Sequence, residues 1–96
     1  MVNCKVVEFT RHATRRMAER FIDPEDVLFV VRHGVMIEDH PDDPRGHSCL
    51  MLAFVGNRPI HIVVGIAGAP EMCEIITAYE PMLDEWESDF RTRKQR

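Results

Sequence analysis

Apolar positions change their period twice along the chain. Phe9, Ala13, Met17 and Phe21 recur every fourth residue. They run through Arg11–Phe21, a stretch without Gly or Pro, and so predict a helix with one buried stripe. Thr10 is its expected N-cap. Before it, Val6, Val7 and Phe9 mark Val2–Phe9 as a short strand or extended lead-in. A second helix start is written more fully. Asp23 is an N-cap, Pro24 takes the first helical position, and Glu25 and Asp26 suit the positive end of the helix dipole. Ile22 and Val27 occupy the two positions of a hydrophobic staple. This helix carries Val27, Leu28, Val30 and Val31 inward and stops at Gly34, where a left-handed glycine is expected.

From Val35 onward the pattern is that of strands. Val35–Asp39 alternates weakly, and His40–His47 holds two Pro, one Gly and two Asp and reads as a loop. Ser48–Val55 and Ile60–Ile66 are apolar strands on either side of the turn Gly56-Asn57-Arg58-Pro59. Ala67–Glu71, with Gly68 and Pro70, predicts another turn, and Glu74–Tyr79 the last strand. Sequential strands on short turns imply an antiparallel meander. After Pro81, the spacing of Leu83, Trp86 and Phe90 predicts a short amphipathic helix. The expected fold class is α+β: two N-terminal helices packed on an antiparallel four- to five-stranded sheet, with a short C-terminal helix.

Composition narrows the function classes. Ninety-six residues fit a single domain, residues 1–96. Apolar runs such as Leu50–Val55 fall far short of the ~18–20 residues of a membrane span. Lys5 and Glu8 break up the N-terminus as a signal peptide, so a cytoplasmic protein is expected. Twelve basic and 16 acidic residues give a net charge of −4. That argues against a general nucleic-acid coat and leaves room for a local basic site. Cys4, Cys49 and Cys73 are odd in number and widely spaced, and read as three unpaired thiols.

The local basic site is on the first helix. His12, Arg16 and Arg20 stand four apart and form one row beside the core stripe. Residues 11–20 hold four Arg against one Glu, a local +3 in an acidic protein. Guanidinium groups grip phosphate bidentately, and a neighbouring histidine can move a proton near neutrality. These are parts for phosphodiester cleavage. The competing account pairs Arg16 and Arg20 with acidic residues such as Glu38, Asp39 or Asp84. His61 lies in a strand whose Ile60, Ile62 and Val64 share the other face. It points toward the helices or away from them according to which face they cover. Thr77 and Tyr79 share a strand face and offer hydroxyls to a phosphate or a base. Arg15 adds to the helix field, and Arg91 and Arg93 begin a basic tail as a second phosphate-contacting patch. The His40–His47 loop matches no metal-ligand spacing, and neither a metal nor another cofactor is expected.

Several of these pieces resemble a known family in order. They are Phe9-Thr10-x-His12-Ala13-x-x-Arg16-Met17-x-Glu19-Arg20, the Asp23-Pro24-x-Asp26-Val27 helix start, Gly34 and the Pro-Asp-Asp-Pro loop. With them come Pro59-x-His61-x-Val63-Val64, Ile75-Ile76-Thr77-Ala78-Tyr79-x-Pro81, Trp86 and Asp89-Phe90-Arg91-x-Arg93. Together they resemble the small bacterial family called domain of unknown function 4258, from Phe9 to Lys94. Phe21 departs from it, standing where that family usually has Gly. The family is similar to toxin ribonucleases of the barnase, colicin E5/D and RelE class. The resemblance implies a RelE-like fold and a metal-independent endoribonuclease, the toxin of a toxin–antitoxin pair, acting on RNA. Its site would be His12, Arg16 and Arg20, with His61 as an alternative base. It also implies a zinc-finger antitoxin of the MqsA type as partner. The alternative is a non-catalytic interaction module, or a homodimer formed through a sheet edge or the Trp86/Phe90 helix.

Overall fold

A computed structural model describes residues 4–66 and 72–95. The turn expected at Ala67–Glu71 lies outside the described residues, as do the first two residues of the expected Val2–Phe9 strand. The elements are β1 (Val6–Phe9), α1 (Arg11–Arg20), α2 (Pro24–His33), β2 (Val35–His40), β3 (Ser48–Val55), β4 (Arg58–Ile66) and β5 (Met72–Tyr79).

Both helices start where their caps predict. The Thr10 hydroxyl accepts the Ala13 N–H at 3.0 Å, and the Asp26 carboxylate accepts the Asp23 N–H at 3.1 Å. α1 ends at Phe21, which takes the left-handed conformation (φ 56°, ψ 44°) with its ring 84% exposed. The backbone keeps a shape that suits glycine although the side chain is aromatic. Arg58 braces this end: its guanidinium donates to the Phe21 and Arg20 carbonyls, each at 2.6 Å, and to Glu80 at 2.6 Å. Gly34 ends α2, though without a left-handed turn, since its φ is −77°. Glycine is required there by proximity. A Cβ would lie 2.5 Å from the Val30 carbonyl oxygen and 2.7 Å from that of Leu52.

The sheet order is β1-β5-β4-β3-β2. Strands β2 to β5 form the expected antiparallel meander, but β1 pairs with β5 in parallel, Val6 opposite Met72 and Phe9 opposite Ile75. The sheet is therefore mixed, which corrects the antiparallel expectation. A short run such as Val-Val-Glu-Phe carries no record of strand direction. The next element sets it: α1 docks on β5, and the Thr10 N–H continues the ladder onto the Ile75 carbonyl at 3.2 Å. The unpaired-thiol expectation is corrected as well, because a disulfide joins Cys4 to Cys73, with Cα atoms 5.6 Å apart. Parallel pairing brings together two cysteines 69 positions apart, which no spacing rule anticipates. Cys49 remains a free, buried thiol, and burial pushes its pKa up to about 11.

The helices cover one face of the sheet. Ala13, Met17, Ile22, Val27, Val30 and Val31 pack on Cys49, Met51, Ile60, Ile62, Val64, Cys73, Ile75 and Ala78. Leu50, Leu52 and His61 point to the opposite face by the alternation of the strands, and they too are buried. Trp86, 2% exposed, meets the His61 ring edge-on at 4.5 Å.

No C-terminal helix forms among the described residues, a second correction to the expected fold. Asp89 accepts the backbone N–H groups of Arg91 (2.8 Å) and Thr92 (3.0 Å) and the Thr92 hydroxyl (2.9 Å), while Phe90 turns left-handed. These local bonds compete with helix and fold the chain back, so that Glu87 N–H reaches the Thr92 carbonyl and Lys94 N–H that of Glu85. The turn lets Trp86 enter the sheet face. Arg93 covers Trp86 at 4.6 Å and bonds Glu38 at 2.6 and 3.2 Å.

His61 is the buried titratable centre of this second layer. Nε2–H donates to the Phe90 carbonyl at 2.8 Å, and Nδ1 accepts from the Tyr79 hydroxyl at 3.1 Å, so the neutral ring is fully partnered. Burial lowers its pKa. A histidine depressed in the fold binds fewer protons than in the unfolded chain. Its contribution is present above the ordinary imidazole range and is lost as pH falls toward the depressed value. Urea unfolding is expected to show lower stability at about pH 5.5 than at about pH 7.5, with a shallower dependence in His61→Gln. An unchanged slope in that variant would assign the acid sensitivity to other groups.

Candidate functional site

The N-terminus of α1 is fixed to β5 by Thr10, whose hydroxyl also donates to the Ile75 carbonyl at 2.9 Å. His12 therefore has a set position in the first turn of α1, and its side chain is exposed. That turn holds no acidic residue, and the leading N–H groups of any helix lack intrahelical partners, so this end is locally positive.

Beside it, β5 carries a bulge. Val63 pairs with Thr77 and Val64 with Ile75, which leaves Ile76 as the extra residue. The bulge brings consecutive residues, Ile76 and Thr77, to one cavity of about 590 Å³. Its other walls are Thr10 and His12 from the α1 end, Val63, Gly65 and Ile66 from β4, Glu74 from β5, and Asp43 to His47 from the β2–β3 loop, Pro44 excepted.

That loop is built around Asp43. Its carboxylate accepts the Arg45 N–H (2.9 Å), the Ser48 hydroxyl (2.9 Å) and, more loosely, Arg45 Nε (3.4 Å). The backbone N–H of Arg45 first, then the Ser48 hydroxyl, hold its pKa down to about 2. Gly46 has φ +115°, a conformation that favours glycine. The Ile66 N–H bonds the His47 carbonyl at 2.9 Å and ties the loop to β4. His47 in turn donates Nε2–H to Asp39 at 2.6 Å, which leaves Nδ1 as the ring's lone-pair nitrogen. The cavity thus gathers two histidines, an arginine, two threonines, two carboxylates and a helix N-terminus.

Of the residues expected from sequence, His12 and Thr77 come together here. The rest of the helix row does not. Arg16 pairs with Glu19 at 3.0 Å, and Arg20 donates to the Ala78 carbonyl at 2.7 Å. Arg15 is exposed, one helical turn from His12. His61 lies against both Tyr79 and Trp86, and neither His61 nor Tyr79 is among the residues that line the cavity. Arg93 is committed to Glu38, whose carboxyl it holds below the ordinary range. Arg91 lines a smaller hollow with Met36, Ile37, Asp89 and Thr92. Sequence reasoning missed Arg45, His47 and Glu74. The first two stand in the His40–His47 loop, where the usable signal was a histidine and an arginine flanking a glycine in a proline-stiffened segment. Among the described residues, no three His, Cys, Asp or Glu side chains converge as metal ligands. No helix among them is long and apolar enough to cross a membrane.

Among known proteins, the model of one family, a domain of unknown function designated DUF4258, matches residues 9–80. No curated protein and no solved structure matches the chain.

Proposed function

The chain belongs to the DUF4258 family, and we propose that this member is a metal-independent endoribonuclease whose site is the cavity between α1 and the β2–β3 loop. One observation carries the reading: His12 and His47 line the same cavity as Arg45 and Thr77. Two histidines supply the base and the acid that cleavage by an internal nucleophile needs. His12 takes the proton from a ribose 2′-hydroxyl, whose oxygen attacks the adjacent phosphorus. The bond from phosphorus to the 5′-oxygen breaks, and protonated His47 gives that oxygen its proton. The products are a 2′,3′-cyclic phosphate and a 5′-hydroxyl. Arg45 and the α1 N-terminus face the charge that develops on the phosphoryl oxygens. Arg15 and Arg91 add an exposed field for the RNA backbone, Arg16 is held by Glu19, and Arg20, Arg93, His61 and Tyr79 hold the fold.

The experiment is incubation of mixed RNA with the protein and a chelator, followed by end-group analysis. Cyclic phosphate ends support the reading, and uncut RNA removes it. In the cell the reading makes the protein a toxin held by an antitoxin, a zinc-finger protein in the form the family resemblance suggests. A second reading, an interaction module or homodimer, has its own support in β2. That strand is one of the two edges of the sheet and exposes Val35 (44%) and Met36 (38%). The Trp86/Phe90 surface does not serve it, because Trp86 is buried.

A further inference from the structure

Part of the cavity has no role in the proton transfers. Val63, Gly65, Ile66 and Ile76 give it an apolar floor, and Glu74 stands at its rim. Gly65 and Glu74 are directly paired across β4 and β5. A Cβ on Gly65 would lie 3.2 Å from Ile76 Cδ1, so glycine makes room for the Ile76 side chain, which lies over it and forms this stretch of the floor. Glu74 is exposed and makes no ion pair among the described residues. Its register neighbour on β1 is Glu8, a second carboxylate, which offers it no side-chain donor.

An apolar floor suits the face of a planar ring, and a carboxylate beside it suits an edge with two adjacent N–H donors. Among the RNA bases only guanine presents such an edge, N1–H beside the N2 amine. Adenine and cytosine set an amine beside an acceptor, and uracil sets one N–H between two carbonyls. We propose that Gly65, Ile76 and Glu74 form a guanine subsite, with the base on the Gly65–Ile76 floor and its N1–H and N2–H bonded to the Glu74 carboxylate. The inference deepens the ribonuclease reading and rests on it for RNA as the substrate. It would direct cleavage to the phosphate attached to a guanosine.

The test is titration of the purified protein with guanosine 3′-monophosphate and with adenosine 3′-monophosphate, followed by calorimetry and by NMR. The guanine nucleotide is expected to bind about tenfold to a hundredfold tighter, the size of one bidentate base contact. Glu74→Gln, at an exposed position, should erase that preference without changing the melting temperature. Gly65→Ala, which pushes on Ile76, should weaken both nucleotides. Equal binding of the two, or a preference that survives Glu74→Gln, overturns the subsite. Guanine-selective binding by a protein that cuts no RNA would sustain the subsite and remove the nuclease. Cutting without regard to base, with no selective binding, would do the reverse.

Discussion

Reducing the Cys4–Cys73 disulfide is expected to lower the unfolding free energy by about 4 kcal/mol. A cross-link closing a loop of 69 positions removes roughly that much chain entropy from the unfolded state. Small domains are stable by only ~5–15 kcal/mol, so the loss is a large part of the total. The effect has a definite place in the fold. β1 has four residues, lies at the sheet edge and pairs only with β5, and the disulfide anchors the chain just before it. Urea unfolding with and without a dithiol reductant measures the change, and Cys4→Ser with Cys73→Ser should reproduce it. Oxidised protein unfolded in denaturant should show one reactive thiol, that of Cys49. Three reactive thiols, or indifference to reductant, would contradict the pairing.

The second large effect is on catalysis. His12→Ala is expected to slow RNA cleavage by about 10²–10⁴-fold, the usual contribution of a positioned acid or base. The fold should be untouched, because the His12 side chain is exposed and α1 is held by Thr10, Ala13 and Met17. Arg20→Ala should behave in the opposite way. Its guanidinium satisfies a carbonyl at the β5 edge, so its removal should cost about 1–2 kcal/mol of stability and spare the chemical step. Thermal melts beside initial rates separate the two. A His12→Ala protein that cuts as fast as the wild type would place the base elsewhere.

The two residues were equivalent in the sequence and are not in the structure. Spacing put His12, Arg16 and Arg20 in one row, and that row exists, but a helix of ten residues spans about 15 Å. Its start faces the cavity and its end reaches the far part of β5. Periodicity records which residues share a helix face and carries no information about what that face meets along its length. The same limit explains the loop. Arg45 and His47 are far from His12 in sequence, and only the hairpin register of β3 and β4, with Ser48 opposite Gly65, carries them to it. The helices, their caps and the meander were legible because local chemistry fixes them. Thr10 and Asp23 cap where they stand, and apolar strands need only short turns. The parallel β1, the disulfide and the turn at Asp89 were not legible. The first two depend on partners that local pattern does not reveal, β5 and Cys73; the turn rests on local bonds from Asp89 to Arg91 and Thr92, which the apolar spacing of Leu83, Trp86 and Phe90 masked.

The central claim, that His12 and its cavity cut RNA, is tested most directly by one comparison. Wild-type protein and His12→Ala, at equal concentration and with matched melting curves, are incubated with mixed RNA in the presence of a chelator. Cleavage leaving 2′,3′-cyclic phosphate ends with the wild type, and almost none with His12→Ala, is the predicted result. Intact RNA with both proteins would contradict it.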